Sequence, residues 1–99
     1  MVKHIVMFKL QGSDESRREV ALRFKAALDA LPGQIDVLQS IEVALNENPA
    51  EEWDIVLTAI VPTMQDVAVY AAHPAHVAAA AIIKDAKQAR ACVDYNSGD

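Results

Sequence analysis

Ninety-nine residues, 53% hydrophobic but only 5% aromatic, and a formal charge of -5 suit one small aliphatic core and exclude a catalytic domain beside a regulatory one. The acidic balance, with no stripe of Lys or Arg, argues against a nucleic-acid backbone or an anionic membrane surface as partner. The N-terminal apolar run is interrupted at Lys9, too short for a membrane span or a secretory signal, and the lone Cys92 can form no intrachain disulfide, so a cytoplasmic location is expected.

Residues 2 to 10 place Val2, His4, Val6, Phe8 and Leu10 on one face of a strand and Lys3, Ile5, Met7 and Lys9 on the other, so both faces are partly apolar. Ser13 is a good N-cap, Asp14 and Glu15 suit the positive first turn, and Val20, Phe24, Ala27, Leu28 and Leu31 recur at helical spacing. The spacing predicts a helix over 14–31, stopped by Pro32-Gly33. Apolar odd positions from Val37 to Leu45, turn residues Asn46 to Pro49 and a second apolar run over 52–61 predict an antiparallel hairpin. Thr63 and Asp66 resemble a capping box that opens a short helix through Tyr70. Pro74 suits a helical first turn and keeps His73 out of the α region, so one helix ends before His73 and another runs from Pro74 through the alanines at 78–81 to about Lys87. A last strand is expected over 89–95, where Cys92 reads as a buried structural thiol.

The order β-α-β-β-α-α-β implies an α+β fold of the split βαβ kind, a four-stranded antiparallel sheet with helices on one face. Val6, Phe8, Ile41, Val43, Ile55, Leu57 and Val93 are expected under the helices. Ile5, Met7, Leu38, Val56 and Ile60, with Cys92, fall on the other face among Lys3, Glu42 and Thr58. Burial of a large aliphatic side chain is worth roughly 1.5–3 kcal/mol, so this second apolar face predicts a homodimer in which two sheets pack as a barrel.

Chemistry concentrates in Tyr70-Ala-Ala-His73-Pro74-Ala-His76, where a tight corner brings a phenol and imidazoles together in an alanine-rich setting. His76, in the first turn of a helix, is held neutral by the dipole and by burial and can act as a general base, with Tyr70 donating to a developing oxyanion and His4 lining the same space. The same groups equally suit a hydrogen-bonded corner that holds the helical pair to the sheet. A metal set of His73 and His76 with His4 or Asp66 has weak support, because the residue before a proline points elsewhere. No cofactor motif is present. Asp94 and Tyr95 are expected to fix the last strand or touch a partner, and Trp53 to cap the core.

Lys3-His4-Ile5-Val6 with Phe8-Lys9, Leu31-Pro32-Gly33, Trp53-Asp54, Tyr70 with His73-Pro74-Ala75-His76, and Val93-Asp94-Tyr95 together resemble the stress-responsive dimeric α/β-barrel (Dabb) family. The resemblance implies a ferredoxin-like fold and a homodimer. It also implies, by similarity to a plant polyketide cyclase that uses a His and Tyr pair, a site with His76 and Tyr70 as the reacting pair and His4 as a further pocket histidine. Val20 and Ala21 stand where that enzyme carries bulky aromatics and Ile55 where it carries a polar pocket residue, implying a differently shaped pocket. The expected ligand site combines His4, Val6 and Phe8 of the first strand with Phe24 and Leu57, and with Tyr70, His73 and His76 of the corner. Two functions follow: a homodimer that binds a small hydrophobic ligand, and a cofactor-independent cyclase-like or isomerase-like enzyme.

Overall fold

Alternation at every second residue gives Val2–Leu10 the form of a strand, β1, in the computed structural model, which describes residues 1–98. The even residues of β1 are buried and the odd ones half-buried. Three further strands, β2 (Ser40–Leu45), β3 (Ile55–Val61) and β4 (Lys87–Asn96), complete an antiparallel sheet in the order β2-β3-β1-β4. With the helices all on one face, this is the ferredoxin-like α+β arrangement expected from the element order. Phe8 lies opposite Ile55 on β3 and Arg90 on β4, so the register of β1 fixes which residues of its neighbours share each face. Between Lys9 and Leu10 the β4 partner jumps from Ala89 to Lys87, leaving Gln88 as the extra residue of a bulge.

Helix α1 (Asp14–Asp29) begins where the Ser13 hydroxyl accepts the Ser16 amide at 3.1 Å, and it presents Ala21, Phe24 and Leu28 to the sheet. It ends two residues before the predicted stop, and Gly33, at φ 90, turns the chain back. Helix α2 (Met64–Ala72) opens on the expected capping box between Thr63 and Asp66. Pro74 does what its chemistry requires: His73 is extended (φ -62, ψ 136), α2 stops before it, and α3 (Pro74–Ala81) starts at the proline. Helix α3 is shorter than the predicted 74–87. Past Ala81 the chain tightens into turns, with the Ala86 amide donating to the Ile83 carbonyl at 3.1 Å, and this tightening brings Ile83 into the core.

Between sheet and helices the core gathers Val6, Phe8, Phe24, Leu28, Leu57 and Tyr70, and Phe8 meets Phe24 edge-to-face at 5.4 Å between centroids. The Asp54 carboxylate accepts the Leu10 amide at 2.7 Å, tying the end of β1 to the start of β3.

Three expectations about faces are corrected. Val93 pairs with Ile5 and therefore points away from the helices, 62% exposed, whereas the expectation put it under them. Cys92 pairs with Val6 and so points toward the helices, whereas it was expected on the outer face. Leu38 lies before β2, in a turn where its amide donates to the Ile35 carbonyl at 3.0 Å, and its side chain is buried in the core, so it is no part of the outer sheet face. Both hairpin strands are shorter than predicted, and the ladder between them runs from Ser40 opposite Ile60 to Leu45 opposite Ile55.

Leu28 is fully buried. Leu28→Ala is expected to lower the unfolding free energy by about 2–5 kcal/mol, read by chemical denaturation, because the site is enclosed on every side and collapses poorly.

Candidate functional site

The local rules that build the corner also aim its side chains. The φ of Pro74 and the extended backbone of His73 set α3 at an angle to α2, so that Tyr70, in the last turn of α2, meets His76, in the first turn of α3. Their ring centroids lie 4.6 Å apart. His4, buried on the helix-facing side of β1, also packs edge-on with Tyr70 at 5.8 Å between centroids. Across the ladder from His4 stands Asp94, whose Oδ1 accepts the His4 Nδ1–H at 2.5 Å. Asp94, His4, Tyr70 and His76 thus form a continuous row along one wall of a cavity of about 580 Å³.

This volume falls in the range of small-molecule sites, about 300–1,000 Å³. Val6, Phe8, Phe24 and Leu57 supply an apolar lining, while Lys87 and Arg90 bring positive charge from β4. Seven of the eight residues expected around a ligand line this cavity: His4, Val6, Phe8, Phe24, Leu57, Tyr70 and His76. The exception is His73. Its Nδ1 accepts the Ala75 amide at 3.0 Å, so it serves as the N-cap of α3 and does not line the cavity. The metal set built on His73 and His76 with His4 or Asp66 is not assembled either, since the Asp66 carboxylate is held in the capping box with Thr63. Nor do Val20, Ala21 or Ile55 shape the lining; the aromatic that α1 contributes is Phe24.

Sequence reasoning missed the contribution of β4. Arg90, Cys92 and Asp94 all line the cavity, and Asp94, expected to hold the last strand or a partner, bonds His4 inside it. The available signal was their shared parity in a predicted strand. Tyr95, by contrast, is on the outer face opposite Lys3.

The protonation states are set by burial. His76 donates its Nδ1–H to the Ala71 carbonyl at 3.0 Å, which in the neutral ring leaves Nε2 as the bare acceptor. Burial lowers the affinity of His76 for a second proton; the Ala71 bond works against this, while His4 and Arg90 work with it. The Tyr70 hydroxyl is fully buried with no hydrogen-bond partner among the described residues, and burial pushes its pKa up to about 12. Burial, followed by the Asp94 carboxylate, pushes the Cys92 thiol up. The cavity therefore holds a neutral base beside a protonated phenol, a pairing that can accept a proton at one point and donate a hydrogen bond at another.

Comparison with known proteins places the fold. The profile of the family described as the stress-responsive A/B barrel domain matches residues 2–97. A dimeric protein of unknown function with a ferredoxin-like fold from Bacteroides fragilis NCTC 9343 is 49% identical, at a TM-score of 0.92, with 95% of this chain and 93% of that one covered. A dimeric ferredoxin-like protein of unknown function from Thermobifida fusca YX is 25% identical, at 0.78, covering 95% and 88%. The Arabidopsis thaliana protein At3g17210 is 22% identical, at 0.75, covering 100% and 97%, a likeness of fold. No match was found among curated proteins.

Stability should fall at both ends of the pH scale through this row. Below the ordinary histidine value of 6.5 the unfolded chain takes up a proton that folded His76 resists, so the contribution of His76, present above that value, is lost as pH falls through its lowered one. Between 10 and about 12 the unfolded phenol of Tyr70 ionises while the folded one does not, so its contribution is lost as pH rises. Denaturation midpoints measured across pH in the parent and in Tyr70→Phe check this: the variant is expected to lack the Tyr70 part of the alkaline decline.

Proposed function

The chain belongs to the stress-responsive A/B barrel (Dabb) family, and from that premise we propose that it is a homodimer whose sheet-helix cavity binds a small, largely apolar molecule bearing a carbonyl or similar oxygen acceptor. The observation that carries this reading is the Tyr70 hydroxyl, a buried donor with no acceptor among the described residues, on a side chain that lines a cavity whose other walls are mostly apolar. A buried polar group left unmade costs about 1–3 kcal/mol, and a ligand oxygen seated against it recovers that loss. Specific orientation by one or two polar groups within an apolar enclosure is the usual chemistry of such sites.

Dimerisation is supported by the sheet face turned from the helices. Ile5, Met7, Val56 and Ile60 stand there as expected, joined by Ala91 and Val93 in place of Leu38. Val56 and Val93 are exposed in the single chain. Relatives described as dimeric, one of them 49% identical, point the same way. Among the described residues no helix is long and apolar enough to cross a membrane, and the single free Cys92 suits a reducing compartment such as the cytoplasm.

A second reading, enzymatic, is favoured by the bare Nε2 of His76 next to the Tyr70 ring. In it the cavity binds an enolisable carbonyl compound. His76 Nε2 removes the proton from the carbon beside the carbonyl, the C–H electrons become the C=C of the enolate, and the Tyr70 O–H hydrogen-bonds the oxygen on which charge collects. The enolate carbon then attacks a second carbonyl of the same molecule or regains its proton elsewhere, giving a cyclase-like or isomerase-like outcome without a cofactor.

Calorimetric titration with acetophenone and with ethylbenzene, nearly the same shape with and without the oxygen, tests the binding reading. The parent is expected to prefer the ketone and Tyr70→Phe to lose about tenfold of that preference, the worth of one hydrogen bond; equal affinities in the parent refute it. For the enzymatic reading, turnover of linear poly-β-ketones and enolisable acids is expected to fall about 10²–10⁴-fold in His76→Ala and about 10²–10³-fold in Tyr70→Phe, and absence of turnover in the parent refutes it. Sedimentation at micromolar concentration is expected to give a dimer that Val93→Asp converts to monomer; a monomeric parent overturns the assembly.

A further inference from the structure

His4, Cys92 and Asp94 place an imidazole nitrogen, a sulfur and a carboxylate oxygen within 4.8 Å of one another on the cavity wall. We propose that these three side chains form an open site for a zinc-like divalent transition ion, with the fourth position facing the cavity. The reading goes beyond the ligand-binding one and stands apart from it.

The backbone assembles the donors. Cys92 and Asp94 are two apart on β4 and so share a face, and His4 is the direct ladder partner of Asp94 on β1. Two hydrogen-bonded strands make a stiff platform, so little ordering is needed when an ion arrives. The separations suit a tetrahedron. With Zn–S near 2.3 Å and Zn–N and Zn–O near 2.0–2.2 Å, ligand atoms at tetrahedral angles lie about 3.4–3.6 Å apart. Cys92 Sγ is 3.5 Å from His4 Nδ1 and 3.7 Å from Asp94 Oδ2. His4 Nδ1 also bonds the other carboxylate oxygen, Asp94 Oδ1, at 2.5 Å, a hydrogen bond that an ion would replace.

Donor chemistry narrows the ion. A thiolate, an imidazole and a carboxylate are the three ligand types of zinc sites, and the sulfur discriminates against magnesium and calcium, which take oxygen donors. Three protein ligands and an open position are the pattern of a site that presents a bound water or ligand oxygen rather than a closed structural clip. Tyr70 lines the same cavity and its ring packs against His4. Proton balance is simple: the Cys92 thiol releases its proton to solvent, and the proton on His4 Nδ1 is given up while Nε2 takes one, leaving the imidazole neutral and ligating through Nδ1. One proton is released per ion bound, so affinity rises with pH.

The test is titration of the reduced, metal-free protein with Co²⁺ at pH 8, read by absorbance. Expected are saturation at one ion per chain, visible bands of four-coordinate cobalt and a near-ultraviolet thiolate-to-cobalt band, with displacement by Zn²⁺. Cys92→Ser is expected to abolish the thiolate band and Asp94→Asn to weaken binding at least tenfold, both with unchanged far-ultraviolet circular dichroism. Should Asp94→Asn unfold, competition between Zn²⁺ and a chromophoric chelator in the parent and Cys92→Ser decides the matter. No cobalt band in the parent, a band that survives Cys92→Ser, or equal Zn²⁺ affinity in those two proteins overturns the proposal. The acetophenone titration, carried out without metal, succeeds or fails independently.

Discussion

The ladder that holds β1 between β3 and β4 governs everything else in the molecule. Because side chains alternate along a strand, fixing Phe8 opposite Ile55 and Arg90 sends His4, Val6 and Phe8 toward the helices and Ile5 and Met7 the other way. The first set makes the cavity wall and the second the outer sheet face. A slip of one residue would exchange them, placing a histidine on the outer face and an isoleucine in the pocket. Nine consecutive paired residues in the middle of the sheet leave little freedom for that slip.

Polar groups inside so small a protein carry a cost. His4 is offset by Asp94, and His76 by the Ala71 carbonyl, but the Tyr70 hydroxyl has no counterpart among the described residues. Its desolvation, about 1–3 kcal/mol, is a sizeable fraction of the roughly 5–15 kcal/mol by which such domains are stable. Buried cost of this kind concentrates at functional sites, and here it falls on a residue that lines the cavity.

Much of this was legible in the residues. The punctuation by Ser13, Thr63 and Pro74 follows from capping and ring constraints that act within a few residues, and the structure obeys each of them. The Tyr70 and His76 corner was visible for the same reason. What escaped was β4. Its odd residues, Ala89, Ala91, Val93 and Tyr95, are more apolar than its even ones, Arg90, Cys92 and Asp94, and the usual rule sends the apolar set inward. In this fold the outer face carries apolar side chains of its own and the helix side contains a polar site, so the rule inverts. His73 escaped for another reason: histidine seldom serves as an N-cap, and nothing in one sequence distinguishes a ring turned back on its own helix from one turned into a pocket. Leu38 lay outside any ladder, where parity has no meaning.

The extra residue at Gln88 reaches further than its position at the edge suggests. It changes the parity of β4, so that Lys87 falls opposite Leu10 and joins the cavity lining instead of continuing the outward row of Ala89 and Ala91. In a regular ladder Gln88 would take the place opposite Leu10 and Lys87 would turn to the outer face, while the β1 pairings from Val2 to Lys9 stayed as they are. Which side chain this end of the cavity receives is therefore decided by whether one residue of an edge strand is looped out of the ladder.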